Sequence, residues 1–554
     1  MSVWSVCQAV SLVRYLGMYV FRTYKSVGPV IGGQSTLACN LTLAQVDLPS
    51  IDGEIAWLLF LSALTRFCRC VCAFPFFICL LILRRVYSFI MGSQSTKPFD
   101  VRNVAIIGAG PCGLAAAKYL VAQNVFEKID IFEEQSQVGG VWNYSPKPSE
   151  TLHVPQVSAD CPPDPPLQNE AAPVFPSPMY EVLHTNIPRA LMRYSDLAIP
   201  DDSLIFPSRK DIQGYVVEYA KDIRHLIKFS TQVNDVRLRQ IQGKDRWDVD
   251  VVSLQTGEAS SATYDAVVVA SGHYSVTYMP DVKGISEFHK AHPSIISHSK
   301  HYRKPDPFAN KKVIVVGNSA SGLDIAAQIS SVCQKPLLLS VRTATSEANL
   351  AWCGAEEVPV IDEFLVAERG VRFQDGRVEK DIDTVIYATG YLYTFPFLRS
   401  LKPPVVTDGR RVRGLYKHLF HINHPTLVFS GLPMKVVPFP LSESQAAVTS
   451  RTWANLLPLP SMEEMRKWEE EEVERRGGKF HFWPEGADSE YINSISDWIS
   501  QSGTPGKEPP HWSPEQIWQR QICAKAKLKF ELDGRTANSL EELGFEYSAD
   551  RGDN

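Results

Sequence analysis

Two glycine-rich turns, about 200 residues apart, constrain this 554-residue chain more than any other feature of its sequence. The first lies in "AIIGAGPCGLAAA", where Gly108, Gly110 and Gly113 form an intact G-x-G-x-x-G between an apolar run and an Ala-rich run, with Pro111 inside it. A strand, a tight turn and a helix in that order open a dinucleotide-binding βαβ unit. Gly108 supplies the tight turn, Gly110 lets backbone approach a pyrophosphate, and Gly113 lets helix pack closely on strand. The helix N-terminus then offers unpaired N–H groups and partial positive charge to phosphate. The second turn lies in "VVGNSASGLDIA", where Gly317, Asn318, Ser319, Ser321 and Gly322 repeat the pattern with serine at the middle position. Serine is the smallest replacement there, and its hydroxyl is able to donate to a phosphate oxygen.

The two units differ at the next strand. Twenty residues after Gly113 stands Glu133, an acid placed to accept hydrogen bonds from a ribose. Twenty residues after Gly322 stands Arg342, with Ser340 two residues before it. An acid repels a 2′-phosphate, whereas a guanidinium pairs with one in two-pronged fashion. One scaffold therefore occurs twice, once suited to a free ribose and once to a phosphorylated one. Two dinucleotides in one chain suggest a bound flavin and its hydride donor. The expectation is FAD at the first turn and NADPH at the second. Gly139, Gly140 and Trp142, just after Glu133, would let backbone pass close to a large ligand.

Composition fits a globular chain, with 44% apolar and 21% charged residues. A net charge of −5, mixed in sign, gives no electrostatic case for nucleic-acid binding. After Asp100, apolar strands alternate with helical stretches, which predicts an α/β protein with parallel sheets. "CPPDPPLQNEAAP" reads as a surface loop, "EEMRKWEEEEVERR" as a helix, and "GTPGKEPPHW" as a linker to a final helix. No repeat beyond the two turns is visible.

The first 90 residues stand apart. They hold six of the eleven cysteines and the most apolar run, residues 56–83, which Arg66 and Arg69 interrupt. The uninterrupted part is short for a bilayer span, although Arg84 and Arg85 follow as a cytoplasmic flank would. Two readings stay open: a membrane anchor, or upstream sequence before a start at Met91, where "MGSQST" also fits N-myristoylation of Gly92. The main body reads as cytoplasmic, tethered to an intracellular membrane under the first reading. Its cysteines lack disulfide spacing.

With these residues in hand, the chain resembles the flavin-containing monooxygenases, most of all their fungal branch, from about Pro98 to Phe530. "VAIIGAGPCGLAAAKYL" and "FEEQSQVGGVW" are similar to the family's FAD-binding stretch. "MYEVLHTNIPRALMRYSD" resembles the segment that sets an asparagine, here Asn186, beside the flavin. "VVVASGHYS", "VVGNSASGLDIA", "IYATGY" and "LPMKVVPFPLSESQA" follow in the family's order. In the family signature F-x-G-x-x-x-H-x-x-x-(F/Y), His298 and Tyr302 are present in "HPSIISHSKHY". His292 and Ser294 replace the Phe and Gly, which puts in doubt how the chain crosses between domains there. Read without the family, His298 is a hydrogen-bonded structural histidine rather than a base.

The resemblance implies a Rossmann-like FAD domain with a smaller NADP domain inserted. It places FAD over residues 98–272 and 389–500, NADP over 273–388, an extension over 1–97, and a linker, helix and tail over 501–554. Hinges fall at Ala270–Gly272 and Ala388–Gly390, and Thr389 and Gly390 join the FAD-binding residues. The implied chemistry is NADPH reduction of FAD, addition of molecular oxygen to give a flavin hydroperoxide, and its attack by a thiol, sulfide or amine. Related alternatives are an N-hydroxylating or Baeyer–Villiger enzyme and a decayed, non-enzymatic member. A disulfide reductase would need a C-x-x-C that the main body lacks. Substrate identity and oligomeric state are not legible.

Overall fold

The computed structural model describes residues 98–167 and 172–548. The apolar run 56–83 and the Met91 reading lie outside them. Among the described residues, no helix is long and apolar enough to cross a membrane.

The first sheet has seven strands, in the order Leu415–Tyr416, Phe420–His421, Leu427–Phe429, Ala266–Val269, Asn103–Ile107, Lys128–Phe132, Ile227–Lys228. The last five run parallel. Strands covered on both faces read as continuous apolar runs, and "AVVV" and "NVAII" do so. Val104 and Ile106 face a layer of helices that includes Pro111–Gln123 and the almost wholly buried Pro438–Trp453. Ala105 and Ile107 face the other way, toward Trp247, Val249 and Tyr264 of a three-stranded antiparallel sheet (Thr231–Ile241, Lys244–Ser253, Ala259–Tyr264).

The second sheet has five strands, in the order Ala355–Val358, Leu337–Ser340, Val313–Val316, Thr384–Tyr387, Ile296–His298, all parallel. Its Val313, Val315, Leu337 and Leu339 pack on Ile325 and Ile329 of the helix Ala320–Ser330. Ile314, Leu338 and Val385 pack on Phe364, Val371 and Phe373 of a second small antiparallel sheet. The likeness of the two units therefore extends past their turns: each is a layer of helix, parallel sheet and antiparallel sheet. Sequence comparison misses this because the facing residues share only apolarity and alternation.

Residues 276–277 and 391–392, on the two chain segments that connect the sheets, pair with each other as a short antiparallel ribbon. Over its described residues, 161–167 and 172–173, the Pro-rich loop has no helix or strand, and it is pinned. Asp164 pairs at 2.8 Å with Lys300, which is buried. "GTPGKEPPHW" is likewise held: Tyr119 donates to the Glu508 carbonyl at 2.8 Å, and buried Arg451 donates to that of Lys507 at 3.0 Å. A capping box of Ser513 and Gln516 then starts the final helix, Pro514–Leu532.

Candidate active site

Gly108 adopts φ +102°, a conformation open to glycine, and its N–H donates to the Phe132 carbonyl at 2.8 Å. A Cβ on Gly113 would stand 1.9 Å from the Gly108 carbonyl oxygen, so helix and turn meet with no room for a methyl group. Gly139 and Gly140, at φ +126° and +55°, bring a second backbone over the first, and a Cβ on Gly140 would stand 3.0 Å from the Gly110 Cα. No side chain caps the helix that begins at Pro111, which leaves its first N–H groups free for an anion. Trp142 is buried in the core beneath this crossing.

Glu133 lies buried at the end of the second strand. Its carboxylate accepts from Ala109 N–H at 2.7 Å and from Gln135 N–H at 2.9 Å. Burial pushes its pKa up to about 7, and the two N–H bonds work the other way. A carboxylate has about four acceptor sites, so these bonds leave capacity for a ribose. Glycines a Cβ would fill, an uncapped helix and a buried carboxylate form a cradle that fits the ADP half of FAD.

The second turn copies the first. Gly317 adopts φ +104°, its N–H donates to the Ser340 carbonyl at 2.9 Å, and a Cβ on Gly322 would stand 1.9 Å from the Gly317 carbonyl oxygen. Ser319 is the helix N-cap at φ −85°, which any residue adopts, and its hydroxyl caps nothing. This explains why serine is accommodated. Ser321 is exposed in the helix's first turn. Asn318 donates to the Thr343 carbonyl and to Thr345 Oγ1, both at 2.8 Å, and Thr345 N–H donates to Glu357 at 2.7 Å. These bonds fix the loop that carries Arg342 beside the turn. Glu357 was silent in the sequence, because no spacing rule marks a residue on the next strand.

Equal counting distances do not give equal places. Since Gly108 bonds Phe132 and Gly317 bonds Ser340, the residue matching Glu133 is buried Val341. Arg342 falls one position further, exposed at the rim, without a hydrogen-bond or ion-pair partner among the described residues. Buried Ser340 already donates its hydroxyl to the Pro359 carbonyl at 2.9 Å. An uncapped helix end beside a free guanidinium fits a dinucleotide with a third phosphate.

Thr389 and Gly390 lie on the return segment. Thr389 Oγ1 donates to the Tyr278 carbonyl at 2.5 Å, and the Gly390 carbonyl accepts from Tyr278 N–H at 2.8 Å. His298 is fully buried, and Lys300 N–H donates to its Nδ1 at 3.1 Å. That leaves the proton on Nε2, which donates to the Gly390 carbonyl at 3.1 Å. Burial drops its pKa to about 3, so it is neutral and committed to holding the return segment. Tyr302 is also buried and donates to Gln328 at 2.9 Å. His292 and exposed Ser294 lie instead on the turn between the helix Ile285–Ala291 and the strand Ile296–His298, away from the connecting ribbon.

Asn186 is exposed, and its carbonyl accepts from Cys523 Sγ at 3.0 Å. The adjacent turn is closed by Thr185 Oγ1, which donates to the Ile187 carbonyl at 2.9 Å, so the Asn186 amide is not spent on it. Cys112 packs against Gly431, where a Cβ would stand 2.3 Å from its sulfur, and burial pushes the thiol up to about 12. It is a packing residue. Cys161, Cys333, Cys353 and Cys523 are also free.

Two phosphate-cradling turns on two Rossmann-like sheets, joined by a paired ribbon, define a two-dinucleotide flavoprotein. Residues 175–351 and 349–507 match the family described as flavin-binding monooxygenase-like, and residues 106–164 match an NAD(P)-binding Rossmann-like domain. The flavin-containing monooxygenase GS-OX-like 2 of Arabidopsis thaliana is 32% identical over 427 residues, 74% of this chain and 87% of that one. A thiol-specific monooxygenase of Saccharomyces cerevisiae is 31% identical over 416 residues, 72% and 86% of the two chains. The solved S-allyl-L-cysteine S-oxygenase of Allium sativum has a TM-score of 0.64 at 26% identity, covering 80% of this chain and 97% of that one. The chain belongs to the flavin-binding monooxygenase-like family, as an FAD- and NADPH-dependent monooxygenase. Plant and yeast relatives match equally well, so no fungal branch is singled out.

Proposed function

We propose that this enzyme transfers one oxygen atom from O2 to a soft nucleophilic heteroatom, with thiols and sulfides ahead of amines. The observation that carries the reading is the contrast between the turns: the same cradle twice, with buried Glu133 at one and exposed Arg342, unpaired among the described residues, at the other. The sulfur substrates named for the yeast and Allium proteins support sulfur over nitrogen. Bound FAD, reduced by NADPH, supplies the chemistry of oxygen activation.

The protein's part is to hold, orient and exclude water. Gly108, Gly110, Pro111, Gly113, Glu133, Gly139, Gly140, Trp142, Thr389 and Gly390 hold FAD. Gly317, Asn318, Ser319, Ser321, Gly322 and Arg342 hold NADP(H). Ser340 acts through Pro359 to fix the strand end. Asn186 orients the reacting oxygen through its unspent amide. The same reading assigns residues 98–272 and 389–500 to the FAD domain and 273–388 to the inserted NADP domain.

The test is a panel of a thiol, a thioether, a tertiary amine and a cyclic ketone, each supplied with NADPH and air. Oxygenated sulfur product at the highest rate is expected. Ester from the ketone as the main product would overturn the reading.

A further inference from the structure

The helix Ala320–Ser330 carries an acid where a phosphate-binding helix tolerates one poorly. Asp324 lies five residues past the Ser319 N-cap, about 7.5 Å along the axis. A negative charge so near the N-terminus opposes an anion bound there.

Two groups from outside the second sheet hold that carboxylate. The Tyr180 hydroxyl donates to Oδ2, and Arg535 Nη2 donates to Oδ1 at 3.2 Å. Arg535 follows the final helix at φ +62°, with its backbone N–H on the Phe530 carbonyl at 2.9 Å. Its guanidinium also donates to Glu531 at 2.6 Å and to the Val182 carbonyl at 2.9 Å. Lys527 pairs with Glu531 at 2.8 Å, so two cations and two anions balance. The side chains of Asp324 and Arg535 are only 13% and 23% exposed, which shields the pair from much of the solvent screening. The family match ends at residue 507: Asp324 lies within it, and the final helix and Arg535 lie beyond it.

We propose that Arg535 is a positioning residue for NADP(H), through which the C-terminal segment neutralises Asp324 and fixes the helix whose N-terminus receives the diphosphate. This rests on the reading that the second turn binds NADP(H). Removing Arg535 leaves the cluster with one uncompensated negative charge close to the phosphates.

The experiment is calorimetric titration of the FAD-loaded full chain with NADP⁺, at low and high salt. Arg535→Ala is expected to weaken binding about two- to fivefold at low salt, less at high salt, with FAD content unchanged. Adding Asp324→Asn to Arg535→Ala is expected to restore wild-type affinity, which a merely structural role would not do. Asp324→Asn alone leaves a surplus positive charge and is expected to tighten binding, and this carries the test if Arg535→Ala does not fold. Wild-type affinity in Arg535→Ala, failure of the double variant to recover, or unchanged or weaker binding in Asp324→Asn would each overturn the proposal. A wild-type chain that takes up no NADP⁺ would instead overturn the second-turn reading, and the proposal with it.

Discussion

Gly108 lies directly against Ala270: a Cβ on the glycine would stand 2.6 Å from the alanine's carbonyl oxygen. Ala270 is where the chain leaves the first sheet. Gly317 meets Ala388 in the same way, at 2.9 Å, where the chain leaves the second. Each cofactor turn is thus seated on the start of a connecting segment, and the two segments pair with each other. Each glycine-rich turn and the connection between the sheets form one structure.

Gly113→Ala and Gly322→Ala should each disable one cofactor. Both methyl groups would fall 1.9 Å from a backbone oxygen, and overpacking of this kind costs typically about 1–3 kcal/mol or more. Gly113→Ala is expected to purify colourless. Gly322→Ala is expected to keep its flavin colour yet resist anaerobic bleaching by NADPH. By contrast, Ser319→Gly should leave bleaching within about threefold, since an N-cap glycine costs only a few tenths of a kcal/mol.

Arg342 is exposed, so its loss breaks no hydrogen bond or ion pair among the described residues. Removing charge-assisted bonds to a 2′-phosphate costs about 1.5–3 kcal/mol, roughly 10- to 150-fold in affinity. Arg342→Ala should raise the KM for NADPH by that factor and leave NADH nearly unchanged. Equal effects on both would contradict the assignment.

His298 makes stability depend on pH. Its folded pKa, lowered to about 3 by burial, lies below the ordinary 6.5, so between these values the unfolded chain binds more protons. Its contribution is complete above pH 6.5 and is lost as pH falls toward 3. His273, His301 and His421, each lowered to about 4, act in the same direction. Glu133 and Glu443, raised to about 7 by burial, act the other way over this range. The histidines outnumber them, so the denaturation midpoint should fall from pH 7 to pH 5. His298→Gln keeps a donor near the Gly390 carbonyl without the proton uptake, so it should fall less. An identical drop in both proteins would show that His298 is not buried and neutral.

Asn186→Ala removes an amide that makes no hydrogen bond among the described residues and spares the backbone carbonyl that meets Cys523. Thermal stability and FAD content should stay as in the wild type. Oxygen transfer should slow by roughly 100-fold, in line with the loss of one oriented donor. Unchanged transfer would remove Asn186 from the site.

The turns were legible because their demands are local: a positive φ at Gly108 and Gly317, and no space for a Cβ at Gly113 and Gly322. The continuous apolar strands and the alternating "RWDVDVVS" showed through for the same reason. What stayed hidden is relational. Counting residues set Arg342 opposite Glu133, whereas strand register sets Val341 there: the shorter second helix is made up by a longer loop, but the strand that follows has four residues instead of five. The Asp164–Lys300 and Asp324–Arg535 pairs join residues far apart in sequence, and Glu357 reaches Thr345 from the next strand; no periodicity marks such pairs.

The most direct measurement is isotopic. The full chain, supplied with FAD, NADPH and the best sulfur substrate of the panel, turns over under ¹⁸O2 while NADPH consumption is followed. The balance is one substrate, one O2, one NADPH and one proton giving one oxygenated product, one water and one NADP⁺. One ¹⁸O atom in the product for each NADPH oxidised is the predicted result. Oxidation of NADPH with all the oxygen recovered as hydrogen peroxide, and no label in any product, would contradict the account.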